Sequence, residues 1–215
     1  MKKSQGKMLH AAVILTLFAF TGTALLSMTH KATIDKIAEN ERQAILRALN
    51  SVVPADSHDN DLLYDFVDVS SPELLGSPDP VTVYLATKQG QPVAAVFSTI
   101  APNGYSGTIK LLVGVSIDDQ ITGVRVVNHK ETPGLGDAID ADRSDWILGF
   151  SGKSLQQPSL QKWKVKKDGG YFDQFTGATI SPRAVVMAVK NTLLYFKAHK
   201  QELFADTKPE STDDI

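Results

Sequence analysis

The longest uninterrupted apolar stretch of the chain lies near its start. Leu9 to Met28 holds twenty residues without a charged side chain, counting His10 as neutral. A helix of that length, rising about 1.5 Å per residue, covers the roughly 30 Å hydrocarbon core of a bilayer. Lys2, Lys3 and Lys7 stand before it, and behind it Lys31 is soon followed by Asp35, Glu39 and Glu41. Basic residues concentrate on the cytoplasmic side of membrane helices. The pattern therefore predicts residues 1–8 in the cytoplasm, residues 9–28 as a single anchor in membrane lipid, and the remainder on the far side. Two readings compete. A signal peptide would use the small residues Gly22-Thr23-Ala24 as its cleavage site, but the apolar run continues through Leu25, Leu26 and Met28. A buried core helix is opposed by the lysine cluster.

From Thr33 to Val53 the apolar positions Ile34, Ile37, Ala38, Ile45, Leu46, Leu49 and Val52 fall mostly at helical spacing, until Pro54 interrupts them. Thr33 is a candidate N-cap. Residues 29–54 are expected to be a helix, either a stalk continuing from the membrane or an amphipathic helix packed on its own domain. Ala55–Asp61 and Ser70–Pro80 read as loops.

The middle of the chain switches to β-branched runs. Val81–Thr87 and Val93–Ile100 flank Lys88-Gln89-Gly90-Gln91-Pro92, and Thr108–Ile117 and Gln120–Asn128 flank Asp118-Asp119. Both are hairpin signals, and such short connections imply antiparallel pairing. A loop at His129–Gly136, a short helix near Ala141–Phe150 and a strand at Trp163–Lys167 follow. In that strand Lys162, Lys164, Lys166 and Lys167 alternate with Trp163 and Val165, as on a half-solvated face. The last helix has Ser181 as a candidate N-cap, Pro182 at its first position, and a buried stripe of Val185, Val186, Val189, Leu193 and Phe196. The expectation is an α+β fold. A transmembrane helix and a stalk helix precede one antiparallel-sheet domain (residues 55–205) with a C-terminal helix, and residues 206–215 form a polar, disordered tail.

Composition narrows the chemistry. Among 215 residues there is no cysteine, which excludes disulfides, thiolate zinc sites, ordinary iron–sulfur ligation and a cysteine nucleophile. The formal charge is −2, and beyond residue 28 the chain has 19 basic and 24 acidic side chains. A nucleic-acid partner is not expected of so nearly neutral a chain, since neutralising phosphates needs a basic surface. No P-loop, Gly-x-Ser-x-Gly elbow or His-Glu-x-x-His motif occurs.

Asp173-Gln174-Phe175-Thr176-Gly177-Ala178-Thr179-Ile180-Ser181-Pro182 is the most informative segment. Small and hydroxylic residues directly before a helix start suit a phosphate, because the first N–H groups of a helix are free and its N-terminus carries partial positive charge. An ordinary tight loop with an N-cap has the same composition. His129-Lys130-Glu131-Thr132-Pro133-Gly134-Leu135-Gly136 ends a predicted strand. His129 and Glu131 could form an acid/base pair or ligate a metal, but two ligands do not make a site. Asn103-Gly104-Tyr105-Ser106-Gly107 is either a plain turn or a loop that brings amides and an aromatic ring to a planar ligand. Trp146 and Trp163 are expected in the core or at its rim.

Together these segments resemble the covalent-FMN domain family. Asp173-x-x-Thr176-Gly177-Ala178-Thr179 is similar to that family's flavinylation motif, Asp-x-x-Ser/Thr-Gly-Ala-Thr. The resemblance covers residues 80–195 and implies FMN joined as a phosphoester to Thr179 by a flavin transferase that uses FAD and Mg²⁺. It also implies Asp173, Thr176, Gly177, Ala178 and Ser181 around the attachment point, and Tyr105, Glu131, Thr132, Gly134 and Leu135 as flavin neighbours. Ser106 stands where the family favours glycine. A short chain with one anchor and a stalk suits the Rnf (Rsx) branch of ion-translocating complexes. The sodium-translocating NADH:quinone reductase branch shares the motif in a longer chain. The implied role is electron transfer, alongside other subunits, on the outer face of a bacterial inner membrane. A non-redox adaptor and an envelope hydrolase are the readings outside this family. The intact mass of the mature protein is expected to include residues 1–24; loss of the segment up to Ala24 would overturn the retained anchor.

Overall fold

The structure, a computed structural model, describes the backbone of residues 2–205 and the side chains from residue 13 onward, except several between 29 and 41. The expected tail at 206–215 lies outside the described residues. The chain divides into two compact units, Met1–Ile45 and Leu46–Ile215.

The first unit is helical, within α1 (Lys2–Asn50). The expected boundary near Thr33 is absent, because α1 runs through that position and Thr33 therefore caps nothing; its side chain is outside the described residues. Of the predicted anchor, Leu9–Ala12 have no described side chains, and residues 13–28 are exposed throughout, including Phe18 at 81% and Leu26 at 77%. Among the described residues no helix is long and apolar enough to cross a membrane.

The second unit is α+β. Five strands, β1 (Phe66–Val69), β2 (Val81–Lys88), β3 (Gln91–Ala101), β4 (Ile109–Ser116) and β5 (Ile121–Asn128), form one antiparallel sheet in the order β1-β2-β3-β4-β5. The two expected hairpins are β2–β3 and β4–β5. Gln89 and Gly90 turn the first with φ of 51° and 71°, the left-handed pair that matches strand twist. Gln89 is held in that costly region by its N–H donating to Asp59 Oδ2 at 2.8 Å. In the second hairpin Asp119 has φ 62°, and its carboxylate accepts from Lys200 at 2.9 Å.

Four elements differ from expectation. α2 (Pro72–Leu75) is a single helical turn inside the segment expected as loop at Ser70–Pro80, with Pro72 at its start and Gly76, at φ 72°, ending it. β1 was not legible, since four residues with alternating exposure on a sheet edge carry too little pattern. The helix expected near Ala141–Phe150 is a 3₁₀ segment, Asp145–Phe150, preceded by another at Gly136–Ile139. The strand expected at Trp163–Lys167 is not one. Leu160–Lys162 and Lys166–Asp168 are 3₁₀ turns, and Val165 makes only an isolated bridge to Phe172. Its alternation was real all the same: Trp163 and Val165 are buried and the four lysines exposed.

Both faces of the sheet are covered. α3 (Ile180–Leu203) lays its predicted stripe on one face, where Phe196 and Tyr195 meet Phe97 edge-on at 6.1 and 5.9 Å. The same core continues into an aromatic cluster in which Phe150 stacks on Phe172 at 4.5 Å and Trp163 is 1% exposed. On the other face Leu49, Val52, Val53 and Leu62 pack against Ala86, Ala94, Val96 and Leu112. The cross-strand pair Gly114↔Gly123 makes this second contact possible. A Cβ on Gly114 would lie 2.5 Å from Val52 Cγ1, and one on Gly123 3.1 Å from Val52 Cα. The end of α1 thus leads into a segment seated directly on sheet backbone.

Overpacking a filled core costs about 1–3 kcal/mol. Gly114→Ala is expected to lose that much in urea unfolding, while Gly149→Ala, where a Cβ meets nothing within 4 Å, stays near wild type.

Candidate functional site

Antiparallel order brings two loops to one end of the sheet. β3 ends where β4 begins, at Ala101↔Ile109, and β5 ends beside Lys110 at Asn128. The 102–108 loop and the 129–136 loop therefore leave from the same end. They meet the 173–179 loop and the first turn of α3 around a cavity of about 260 Å³. Its walls are Tyr105, Glu131, Thr132, Leu135, Gly136, Gly177, Ala178, Thr179, Ile180 and Ser181.

Each segment reaches this place for a local reason. Thr132-Pro133-Gly134-Leu135 is a tight turn: Leu135 N donates to Thr132 O at 3.1 Å, and Gly134 has φ 75°. Proline then glycine at the centre of a turn is the type II signature. Phe175-Thr176-Gly177-Ala178 turns similarly, with Ala178 N donating to Phe175 O at 3.1 Å and Gly177 at φ 81°. The aromatic cluster anchors this loop. Phe172 is buried in it, Trp146 packs on Phe175 at 5.2 Å, and Trp146 Nε1 donates to Asp173 O at 2.9 Å.

Glu131 ties the walls together. It is 4% exposed. Ser181 Oγ donates to its Oε2 at 2.5 Å, and Ser106 N donates to its Oε1 at 3.1 Å. Its neighbours must be small: a Cβ on Gly104 would fall 2.7 Å from Oε1, and one on Gly136 2.9 Å from Oε2. His129 Nδ1 accepts from Glu131 N at 3.0 Å, which leaves the neutral-ring proton on Nε2, 3.9 Å from Asp140. The side chains of His129 and Glu131 thus take part in different hydrogen bonds, His129 with the Glu131 backbone and Glu131 with Ser106 and Ser181. Among the described residues no cluster of three or more ligand-type side chains could hold a metal ion.

The start of α3 differs from expectation. The N-cap is Thr179, and it makes no side-chain cap bond. Ser181 lies one residue inside the helix, its hydroxyl committed to Glu131, and Pro182 follows it, within the first turn that has no helical carbonyl to reach. Among the described residues the Thr179 hydroxyl and the N–H groups of Ile180 and Ser181 make no hydrogen bond. An unengaged hydroxyl and free helix N–H groups on one wall suit a phosphoryl group. The side chains of Leu135 and Ile180 and the ring of Tyr105 add apolar lining, so the residues present fit a phosphate-bearing planar ring system.

Of the sequence-derived candidates, Tyr105, Glu131, Thr132, Leu135, Gly177, Ala178, Thr179 and Ser181 line the cavity. Asp173, Thr176 and Gly134 do not: Asp173 is paired with Lys166 at 2.6 Å, and Thr176 and Gly134 are exposed turn residues. Gly136 and Ile180 were missed as lining residues, although Gly136 closes the 129–136 loop and Ile180 follows the motif. Beside the loop, Arg183 clasps Asp168 with two bonds of 2.7 and 2.9 Å. That hydrogen-bonded guanidinium holds Asp168 below the usual carboxylate range.

Comparison with known proteins matches two segments of the chain. A family model described as an FMN-binding domain matches residues 104–194, and one described as the RnfG N-terminal region matches residues 1–52. A protein named as the G subunit of an ion-translocating oxidoreductase complex, from Pseudoalteromonas atlantica, is 52% identical over 193 residues, 90% of each chain. Proteins of the same name are 49% identical in Aliivibrio fischeri (90% of this chain, 92% of the relative) and 46% identical in Vibrio cholerae (92% and 94%). The similarity falls on the Rnf branch and not on the sodium-translocating NADH:quinone reductase branch.

Two substitutions probe this geometry. Glu131→Ala strands the Ser181 hydroxyl and Ser106 N–H and is expected to cost about 2–3 kcal/mol in denaturant unfolding, with Glu131→Gln losing less. A depressed carboxylate stabilises above its unfolded pKa and loses that contribution as pH falls through its folded pKa. Arg183→Gln should therefore return the Asp168 titration upward to the ordinary carboxylate range by NMR, with any stability difference present above that range and vanishing in acid.

Proposed function

The chain belongs to the G-subunit family of ion-translocating oxidoreductase complexes, and from that premise we propose that it carries FMN as a phosphoester on Thr179 and relays electrons within a membrane-bound complex. The observation that carries the attachment is the free Thr179 hydroxyl beside the unpaired N–H groups that open α3. In maturation Thr179 Oγ1 bonds to the FMN phosphorus of FAD, the pyrophosphate link breaks, AMP leaves and the hydroxyl proton is released. A flavin transferase using Mg²⁺ supplies the catalysis.

When bound, FMN supplies reversible one- and two-electron chemistry at its ring. The chain's own residues hold and shape. Ile180 and Ser181 N–H groups face the phosphate charge. Gly177 and Ala178 permit its close approach, and Leu135, Thr132 and Tyr105 border the ring. Glu131 acts through Ser106 and Ser181 to keep the two walls in register. Asp173 and Thr176, exposed on the motif loop, are open to the transferase, and Gly134 shapes the turn beneath Leu135.

Residues 9–28 anchor the protein in the inner membrane, with the N-terminus cytoplasmic and the FMN domain outside. Two features support this. The described apolar side chains from Val13 to Met28 are exposed. Within them Thr21 and Thr23 return their hydroxyls to Leu17 O and Ala19 O at 2.7 and 2.8 Å, as hydroxyls in hydrocarbon must.

Co-expression with the transferase and denaturing electrophoresis under ultraviolet light tests the attachment. Wild type is expected to give a fluorescent band and Thr179→Ala none. A band that persists in the variant would overturn the site, and a colourless wild type would favour a non-redox adaptor.

A further inference from the structure

The charge of the second unit is segregated along the chain. Residues 46–152 carry fourteen acidic and six basic side chains, and residues 153–205 carry three acidic and nine basic. Six of those nine cations gather next to the attachment loop: Lys153, Lys162, Lys164, Lys166, Lys167 and Arg183. Hydrogen bonds and one cation–ring contact join them into one surface. Lys153 sits 5.0 Å from the Tyr171 ring, and Tyr171 N donates to Lys162 O at 2.9 Å. Lys162 Nζ donates to Gly169 O at 3.0 Å, and Lys166 N to Phe172 O at 2.7 Å. Lys167 N donates to Gln174 of the motif loop at 3.1 Å, and Arg183 stands on the first turn of α3.

The backbone presenting these cations is fixed. Trp163 and Val165 are buried in the aromatic core, which leaves the intervening Lys164 exposed. A Cβ on Gly170 would overlap the Lys164 carbonyl, so the returning segment packs closely against the turn. Asp168 and Asp173 answer Arg183 and Lys166. Among the described residues the ammonium groups of Lys164 and Lys167 make no hydrogen bond or ion pair. Both act on the Asp168 carboxylate through space, but its hydrogen bonds go to Arg183, so six cations face the two carboxylates Asp168 and Asp173 and the turn keeps excess positive charge.

We propose that this basic turn, centred on Lys164 and Lys167, docks an acidic face of a neighbouring subunit of the redox complex, and so sets that subunit beside the cavity and Thr179. The inference rests on the proposed function for the identity of the complex. The surface interleaves cations with fixed carboxylates, a mixed-sign pattern that registers one protein face against another. A lipid surface would select a uniform cation patch, and the acidic remainder of the domain is repelled by anionic headgroups. A transferase must read the motif itself, whereas Lys162, Lys164 and Lys167 lie outside it.

The test uses the full-length protein expressed with its complex and transferase, and captured in detergent through a tag on another subunit. Lys164→Glu/Lys167→Glu is expected to lower co-capture roughly tenfold at moderate salt, with the flavin band and the melting temperature at wild-type levels. Lys164→Gln/Lys167→Gln should lose less, and Lys164→Arg/Lys167→Arg should be retained like wild type. The same charge change on α3, Lys190→Glu/Lys197→Glu, should leave co-capture intact. Full retention of the double glutamate variant overturns the proposal. Loss of the flavin band with co-capture intact overturns it in favour of transferase docking. Capture of wild type, but not the variant, by phosphatidylglycerol vesicles with co-capture intact overturns it in favour of lipid. If wild type carries no flavin and the co-capture difference stands, docking holds and the flavin reading falls.

Discussion

One buried carboxylate organises the cavity. Glu131 receives the Ser181 hydroxyl from the first turn of α3 and the Ser106 N–H from the β3–β4 loop, fifty and twenty-five residues away in sequence. An ionisable group this deeply enclosed is tolerated only when its oxygens are hydrogen-bonded, so the two serines and the carboxylate require one another. Gly104 and Gly136 are part of the same constraint, because any side chain there would enter the space the carboxylate fills. With Ser181 committed inward, the helix opens on Thr179, whose hydroxyl remains free.

The support behind that wall is aromatic. Phe150, Trp163 and Phe172 fill the core below the motif loop, and Trp146 bonds the backbone of Asp173. Rigid packing under a short loop fixes the position of the loop's residues more closely than its own bonds could. The opposite face of the sheet is occupied by Val52 against Gly114 and Gly123, which joins the segment following α1 to the domain by backbone contact. The basic turn that flanks the motif loop shares this rigidity, since Trp163 and Val165 are core residues and the lysines are their outward neighbours in sequence.

Much of this was legible in the chain. Both central hairpins, the stripe of α3 and the segment before it can be read from strand runs, turn residues and helical spacing. β1 could not, because an edge strand of four half-exposed residues has no distinctive period. The lysine–tryptophan alternation at 162–167 suggested a strand, yet alternate burial also arises when consecutive 3₁₀ turns wrap an aromatic core. Ser181 looked like a cap because serine before proline has that composition. Its real partner lies fifty residues earlier, and no local rule reaches that far.

What the sequence alone determined is therefore local: which segments bury one face, where the backbone must turn, and that a hydroxyl-rich helix start follows a Thr-Gly-Ala-Thr loop. It also determined, through the absence of cysteine, that any attached cofactor must be held through oxygen or nitrogen. The tertiary structure decided which loops share a cavity, that Glu131 bonds Ser106 and Ser181 and leaves Thr179 unengaged, and that the exposed lysines stand beside the 173–179 loop. The physical reason is that helix and turn preferences act over a few residues, whereas satisfying a buried carboxylate and filling an aromatic core depend on groups that only the folded sheet brings within hydrogen-bonding and packing distance.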